Sequence, residues 1–375
     1  MKSGILGEAR GFDFEGMRFG VKAWRVSSSD SRKSGASTAP IVLVHGFAQQ
    51  ASTWDDTIRL LVGAGVECFG FELAGHGKGA RSADNAPEKR PDFFDLRFQA
   101  RALLAFCGTV ARDAGVAPVL VGYSMGGRVA LQTACLVAGD LRGRDRLGRI
   151  SLRSSAALAP CDRIARLDVA ADGSGDGGEL DRAAPRSSAA FAPRDRARRL
   201  DAIAALLLES AGLGPVDGAA RETLRERNFT WAQRVRSEGV PAFMDWWAGL
   251  SLFESQQYLP LERRERLRTS RLANDAESLA LTFEQAGAHR MPSQPESIRV
   301  LCELAAQGIP ISYLTGELDA KYRKVASALR AESQGAVSCR IVPGAGHNIH
   351  LEQPEAFAAI LREVVESCTP EPAAP

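Results

Sequence analysis

Apolar residues along this 375-residue chain change their period several times, and the changes mark out elements. Residues 12–26 alternate apolar and polar positions and predict an N-terminal β-hairpin. Short apolar-rich segments follow at 41–44, 66–71, 119–121 and 150–158, and again at 311–315 and 339–342, and read as strands; 41–44 and 119–121 are unbroken apolar runs. Such runs predict strands buried on both faces, as in a parallel sheet. Between them, helical spacing occupies 53–62, part of 91–115, 128–137 and 354–365. Strands alternating with helices predict an α/β fold, a mostly parallel sheet flanked by helices.

One long stretch breaks the alternation. Residues 27–39 are only a polar loop, but from about 160 to 291 the pattern changes character. Residues 170–199 are rich in Gly, Ser, Asp, Arg and Ala and nearly devoid of large apolar side chains, which predicts a flexible segment. From 200 to 288 the spacing is helical, with Trp231, Trp246 and Trp247. An insertion after a sheet strand, where loops gather, is placed to roof a site. The expected organisation is a core of 1–160 and 292–375 and an insertion of 161–291, with a low-complexity loop at 163–199 and a helical cap at 200–291.

Composition narrows the function classes. The 47 basic and 45 acidic residues leave a net charge of +2, so neither nucleic acid nor a membrane surface is an expected partner. Only seven of the basic residues are lysine, which reads as a coding bias toward arginine rather than a phosphate-binding patch. No apolar run approaches the roughly 20 residues that span a bilayer, and MKSGILGEARGFDFEG has no signal-like apolar region. The seven cysteines are scattered without a C-x-x-C pair, so no metal site is expected and reduced thiols in a cytoplasm fit best. The expectation is a cytoplasmic monomer or small homo-oligomer acting on a small molecule.

The chemistry concentrates at APVLVGYSMGGRVALQ, residues 117–132. An apolar run enters Gly122-Tyr123-Ser124-Met125-Gly126 and a helix-compatible segment leaves it. This is the G-x-S-x-G nucleophile elbow in its required setting, strand before and helix after. The tight turn exposes Ser124 Oγ, and the Met125 N–H at the helix start can face a developing oxyanion. Downstream, the strand at 311–315 ends in Gly316-Glu317-Leu318-Asp319, and the strand at 339–342 ends in Pro343-Gly344-Ala345-Gly346-His347. Acid and base thus follow strands in the order Ser, Asp, His of an α/β-hydrolase fold. Asp319 is expected to orient His347, and His347 to take the proton of Ser124. Glu317 is the competing acid and His350 the competing base. The N–H of Phe47, after His45-Gly46, is the second expected oxyanion donor.

Several segments also resemble one narrower family, 2-succinyl-6-hydroxy-2,4-cyclohexadiene-1-carboxylate synthase. Gly122 to Arg128 resembles its elbow, with an arginine four residues after the serine. Phe243-Met244-Asp245-Trp246-Trp247 with Leu252-Phe253 resembles its cap motif, and Leu267-Arg268-Thr269 its cap arginine segment. Gly316 to Tyr322 resembles its acid loop, and Gly344 to His350 its base loop. The resemblance implies elimination of pyruvate from an enolpyruvyl-cyclohexene substrate, with Ser124 as general base and no cofactor. It also implies a polycarboxylate substrate gripped by Arg128, Arg268 and a cap arginine, Arg225 or Arg227, since guanidinium forks bind carboxylates bidentately. Tyr123 and Trp246 are expected to line the pocket, and Trp247 to pack cap against core. Where the family carries Asp after its cap arginine, this chain has Asn228, with shifted spacing. Two other readings share the elbow: a serine hydrolase acting on an ester or C–C bond, and a ligand receptor without turnover.

Overall fold

The N-terminal alternation forms a hairpin of two ten-residue strands, β1 (Ile5–Phe14) and β2 (Met17–Val26), paired antiparallel from Ile5 opposite Val26 to Phe14 opposite Met17. A computed structural model of the protein describes residues 5–26, 38–77, 90–148 and 203–368. The predicted strand at 150–158 and the low-complexity segment at 163–199 lie outside these residues.

The remaining strands are β3 (Ile41–Val44), β4 (Cys68–Phe71), β5 (Val119–Tyr123), β6 (Ala205–Glu209), β7 (Ile311–Gly316) and β8 (Ser338–Val342). They build one eight-stranded sheet in the order β1-β2-β4-β3-β5-β6-β7-β8. The pairs β1/β2 and β2/β4 are antiparallel and every other pair is parallel. Burial on both faces explains the unbroken runs of β3 and β5, while β8, at the edge of the sheet, stays partly exposed. Ile41, Leu43, Val119, Val121 and Leu207 face one core layer, while Val42, Val44, Leu120, Leu206 and Leu208 face the other.

Helices cover both faces. The core helices are α1 (Asp55–Val62), α2 (Leu96–Ala114) and α3 (Met125–Gly148). Asp95 caps α2 by accepting the Arg97 and Phe98 N–H groups. The cap is built from α4 (Gly218–Ala248), α5 (Leu261–Leu272) and α6 (Ala276–Ala286), with a short 3-10 stretch, Ser251–Tyr258, between α4 and α5. Back in the core come α7 (Gln294–Ala306), α8 (Ala320–Glu332), α9 (Ile349–Glu352) and α10 (Pro354–Cys368). The helix α4 bends at Gly239, whose φ of 77° is open to glycine, and Pro241 two residues later adds to the break.

One boundary differs from expectation. Residues 200–291 were expected to form the cap throughout, yet Ala205–Glu209 is a core strand, hydrogen-bonded between β5 and β7. The run Ala204 to Leu208 is apolar without interruption and entirely buried, the mark of a central parallel strand. The cap helices begin only at Gly218, after a turn capped by Asp217.

Candidate active site

Ser124 follows β5 and precedes α3, in a turn that only small neighbours permit. A Cβ on Gly122 would stand 2.6 Å from Gly127 Cα, and one on Gly126 would stand 2.3 Å from the Val44 carbonyl oxygen. Ser124 itself sits at φ 49°, the left-handed region that L-residues avoid. Its N–H donates to the Glu209 carbonyl at 2.8 Å, and its carbonyl accepts the Arg128 N–H at 3.2 Å. The Met125 N–H belongs to the first turn of α3, where no carbonyl one turn back is available to it.

The two loops at the ends of β7 and β8 bring acid and base to Ser124. His347 Nδ1 lies 2.7 Å from Asp319 Oδ2, and His347 Nε2 lies 3.1 Å from Ser124 Oγ. The imidazole and the carboxylate are both about 1% exposed. Asp319 has a second task, because its Oδ1 accepts the Tyr322 N–H at 3.1 Å and caps α8. Glu317, the competing acid, turns away and accepts the Gly344 N–H at 2.9 Å. Glu352 braces the base loop by accepting the N–H groups of Gly346 and Asn348. The competing base, His350, is fully buried against Glu209 and does not reach Ser124.

Phe47 follows β3 and lies beside the elbow. Gly46 makes this possible, since a Cβ there would fall 2.5 Å from the Tyr123 ring. His45 ties the loop to the end of β4: its Nδ1 lies 2.8 Å from the Gly46 carbonyl, and its Nε2 accepts the Leu73 N–H at 3.1 Å. Burial pushes its pKa down to about 3, so the ring is neutral, as those two bonds require. Phe47 also touches the cap, with ring centroids 4.9 Å from Trp247 and 4.3 Å from Phe283.

The arginines sort into two kinds. Arg128, one turn beyond Ser124, is half-buried and donates to the Ala286 carbonyl of the cap at 3.1 Å. Arg227 stands over the Trp231 ring at 4.4 Å and donates to Asn228 Oδ1. Arg271 is buried, stands over the Phe253 ring at 5.3 Å and donates to Gln256 Oε1 at 3.1 Å. Burial holds Arg128 and Arg271 down to about 10 and lowers Arg227 as well. Among the described residues none of the three pairs with a carboxylate, and the Nε atoms of Arg227 and Arg271 have no hydrogen-bond partner. Arg225 and Arg268 are instead exposed and paired, with Glu222 and Asp245 respectively. Arg268 therefore does not enter the site, and Arg271 takes the place expected for it. Of the two candidates on α4, Arg227 is the inward one.

The aromatic residues shift by one position too. Trp247 is buried and packs on Phe47, Phe253 and Phe283. Trp246 is only half-buried, lies against Trp231 and Phe243, and carries the Arg234 guanidinium 4.2 Å from its ring centroid. Trp247 thus packs cap against core as expected, on the inner face of α4 with Val240, Phe243 and Met244, whereas Trp246 lies on the outer side against Arg234 rather than lining the pocket. Tyr123 is buried between His347 and His350, 5.5 and 4.9 Å away by ring centroids. Tyr322, not among the expected site residues, places its ring 4.8 Å from His347. Phe253 closes the cap side at 5.7 Å from His347.

Among the described residues no helix is long and apolar enough to cross a membrane. In sequence, the chain is 26% identical over 326 residues to 2-succinyl-6-hydroxy-2,4-cyclohexadiene-1-carboxylate synthase of Escherichia coli, covering 87% of this chain and 93% of that one. It is 31% identical over 166 residues to the Klebsiella pneumoniae protein of the same name, 44% of this chain and 60% of that relative. A Bacillus subtilis relative is matched over 58% of its own length. In structure, it is similar to MenH from S. aureus, with TM-score 0.64, 20% identity and coverage of 93% of this chain and 98% of the other. A thermophilic esterase from Thermogutta terrifontis follows the same fold, with TM-score 0.59, 18% identity and coverage of 98% and 100%. A profile of the alpha/beta hydrolase family matches residues 41–360, most of the chain. With its parallel sheet, its elbow and this match, the protein belongs to the alpha/beta hydrolase family.

Proposed function

We propose that the protein is a carbon–oxygen lyase. It eliminates pyruvate from 2-succinyl-5-enolpyruvyl-6-hydroxy-3-cyclohexene-1-carboxylate to give 2-succinyl-6-hydroxy-2,4-cyclohexadiene-1-carboxylate, a step of menaquinone biosynthesis. The observation that carries this reading is a set of three guanidiniums, Arg128 one turn beyond Ser124 and Arg227 and Arg271 on the cap, that have no carboxylate partner among the described residues. A cation buried without a counter-charge is costly, and an anionic substrate offsets that cost on binding. An ester pocket has no use for three such charges. The names of the relatives agree with the reading.

In this mechanism Arg128, Arg227 and Arg271 hold the substrate carboxylates, and Phe253, Trp247 and Tyr322 exclude water. Ser124 Oγ removes a ring proton while its own proton passes to His347 Nε2, and Asp319 stabilises the imidazolium. The electron pair left on carbon forms the new ring double bond and expels the enolpyruvyl oxygen as the enolate of pyruvate. Protonation of its methylene carbon gives pyruvate, the proton balance closing when His347 gives up the proton it took from Ser124. The N–H groups of Phe47 and Met125 hold the negative charge that develops on a substrate carbonyl.

The test is pyruvate release from the substrate generated in situ, with p-nitrophenyl acetate cleavage in parallel. The expected result is pyruvate from the wild type, almost none from Ser124→Ala, and little ester cleavage by either. Serine-dependent ester cleavage without pyruvate makes the protein a serine hydrolase and removes the lyase reading. Pyruvate release by Ser124→Ala at the wild-type rate removes the mechanism.

A further inference from the structure

A second carboxylate–imidazole pair lies beneath the first. Glu209 ends β6, and its carboxylate holds His350: Oε2 lies 2.8 Å from Nδ1, while Oε1 is 3.0 Å from Nδ1 and accepts the His350 backbone N–H at 3.1 Å. Neither side chain reaches solvent. The His350 ring stacks on Trp54 with centroids 3.7 Å apart and meets the Tyr123 ring edge-on at 4.9 Å. Its carbonyl accepts the Thr57 hydroxyl at 3.1 Å. Walled in this way, the ring has no path to a substrate.

What the pair connects gives its purpose. The Glu209 carbonyl accepts the Ser124 N–H at 2.8 Å, so one residue grips the elbow with its main chain and the His350 segment with its side chain. His350 stands three residues after His347, and Glu352 fixes the intervening Asn348 N–H from the other side. Tyr123, adjacent to Ser124, wedges its ring against both histidines. A chain of short contacts thus runs from the Ser124 backbone through Glu209 to the base loop. Packing alone does not call for it, because apolar residues of similar volume fill such a space at no electrostatic cost.

We propose that Glu209 and His350 are positioning residues that set the separation between Ser124 Oγ and His347 Nε2. The proposal rests on the reading that these two atoms exchange the proton in the reaction. A misplacement of about 1 Å at such a contact is enough for a rate loss of about 100-fold.

The experiment compares Glu209→Ala, Glu209→Gln and His350→Gln in the full chain. Two quantities are read: the low-field NMR proton of the His347–Asp319 hydrogen bond in the free protein, assigned with His347→Gln, and kcat and KM for pyruvate release. In a cooperatively melting Glu209→Ala, the low-field signal is expected to be lost and kcat to fall about 100-fold with KM little changed. Glu209→Gln is expected to keep the signal and recover most of kcat, since Oε1 alone reaches both His350 donors. A folded Glu209→Ala with the wild-type signal and kcat overturns the proposal, as does a Glu209→Gln that loses as much as the alanine variant. Should Glu209→Ala not fold, His350→Gln decides in the same way, with signal loss expected and a wild-type signal overturning. The NMR reading needs no substrate, so a wild type that releases no pyruvate removes the proposed function while the signal still decides this one.

Discussion

Two arginines, Arg236 and Arg128, sit in opposite electrostatic settings. Arg236 joins α4 to α6 by ion pairs with both Glu277 and Glu284, and its pKa is driven upward by those hydrogen bonds. Arg128, one turn beyond Ser124, bonds only to the Ala286 carbonyl among the described residues and is held down to about 10 by burial. The first guanidinium holds the cap together. The second has no carboxylate partner among the described residues, and under the proposed function the substrate supplies its counter-ion. Residue type alone does not separate a structural arginine from a binding one; the presence or absence of a carboxylate partner does.

The strongest way to break this comparison is Arg128→Met. Losing one side of a buried charge pair costs about 4 kcal/mol, so kcat/KM for pyruvate release is expected to fall about 1000-fold. The ligand-free variant is expected to melt no lower than the wild type, since removing an unpaired buried charge relieves it. A variant that melts far lower with unchanged kcat/KM makes Arg128 structural, like Arg236.

A buried acid sharpens the contrast. Glu72 is pushed up to about 7 by burial, partly countered by the Ala51 N–H and the charge of Lys22, and its Oε2 has no partner among the described residues. Unlike Arg128, it escapes the cost by taking a proton near neutral pH. In the folded state it binds a proton that the unfolded chain has released, so stability falls as pH rises from 4.5 to about 7 and is level above. Glu72→Gln is expected to remove that fall and to exceed the wild type by about 3 kcal/mol at pH 8, with no gain below pH 4. Denaturant melts across this range check it, and parallel curves for the two proteins reject it.

The smallest expected effect belongs to Arg268→Ala. Its exposed pair with Asp245 contributes little, and kcat/KM is expected to stay within about twofold of wild type. A larger loss returns Arg268 to the site and displaces Arg271, which a matching Arg271→Ala assay then decides.

Most of the core elements were legible because parallel strands and tight turns leave strong marks: apolar runs, and glycines where backbones meet. The elbow and both downstream loops were therefore readable by residue. What failed was helix phase. On α5 the buried side chains are Leu267, Ser270 and Arg271, a spacing of three and one that leaves Arg268 outward. On α4 the same rule selects Phe243 and Trp247 over Trp246. A motif matched along the chain gives the neighbourhood, and the apolar stripe gives the inward residue. The strand Ala205–Glu209 was missed for another reason. More than fifty residues separate it from Gly148, and the weaker run at 150–158 came first in the expected order.

The backbone at Ser124 has a consequence for how this chain can change over time. Its φ of 49° disfavours any side chain with a Cβ by about 1–2 kcal/mol. Drift toward greater stability alone would put glycine there. The serine persists against that bias only while selection acts on what its hydroxyl does. In a lineage that no longer needs the reaction, the elbow is therefore among the first places where the protein can become more stable by becoming inert.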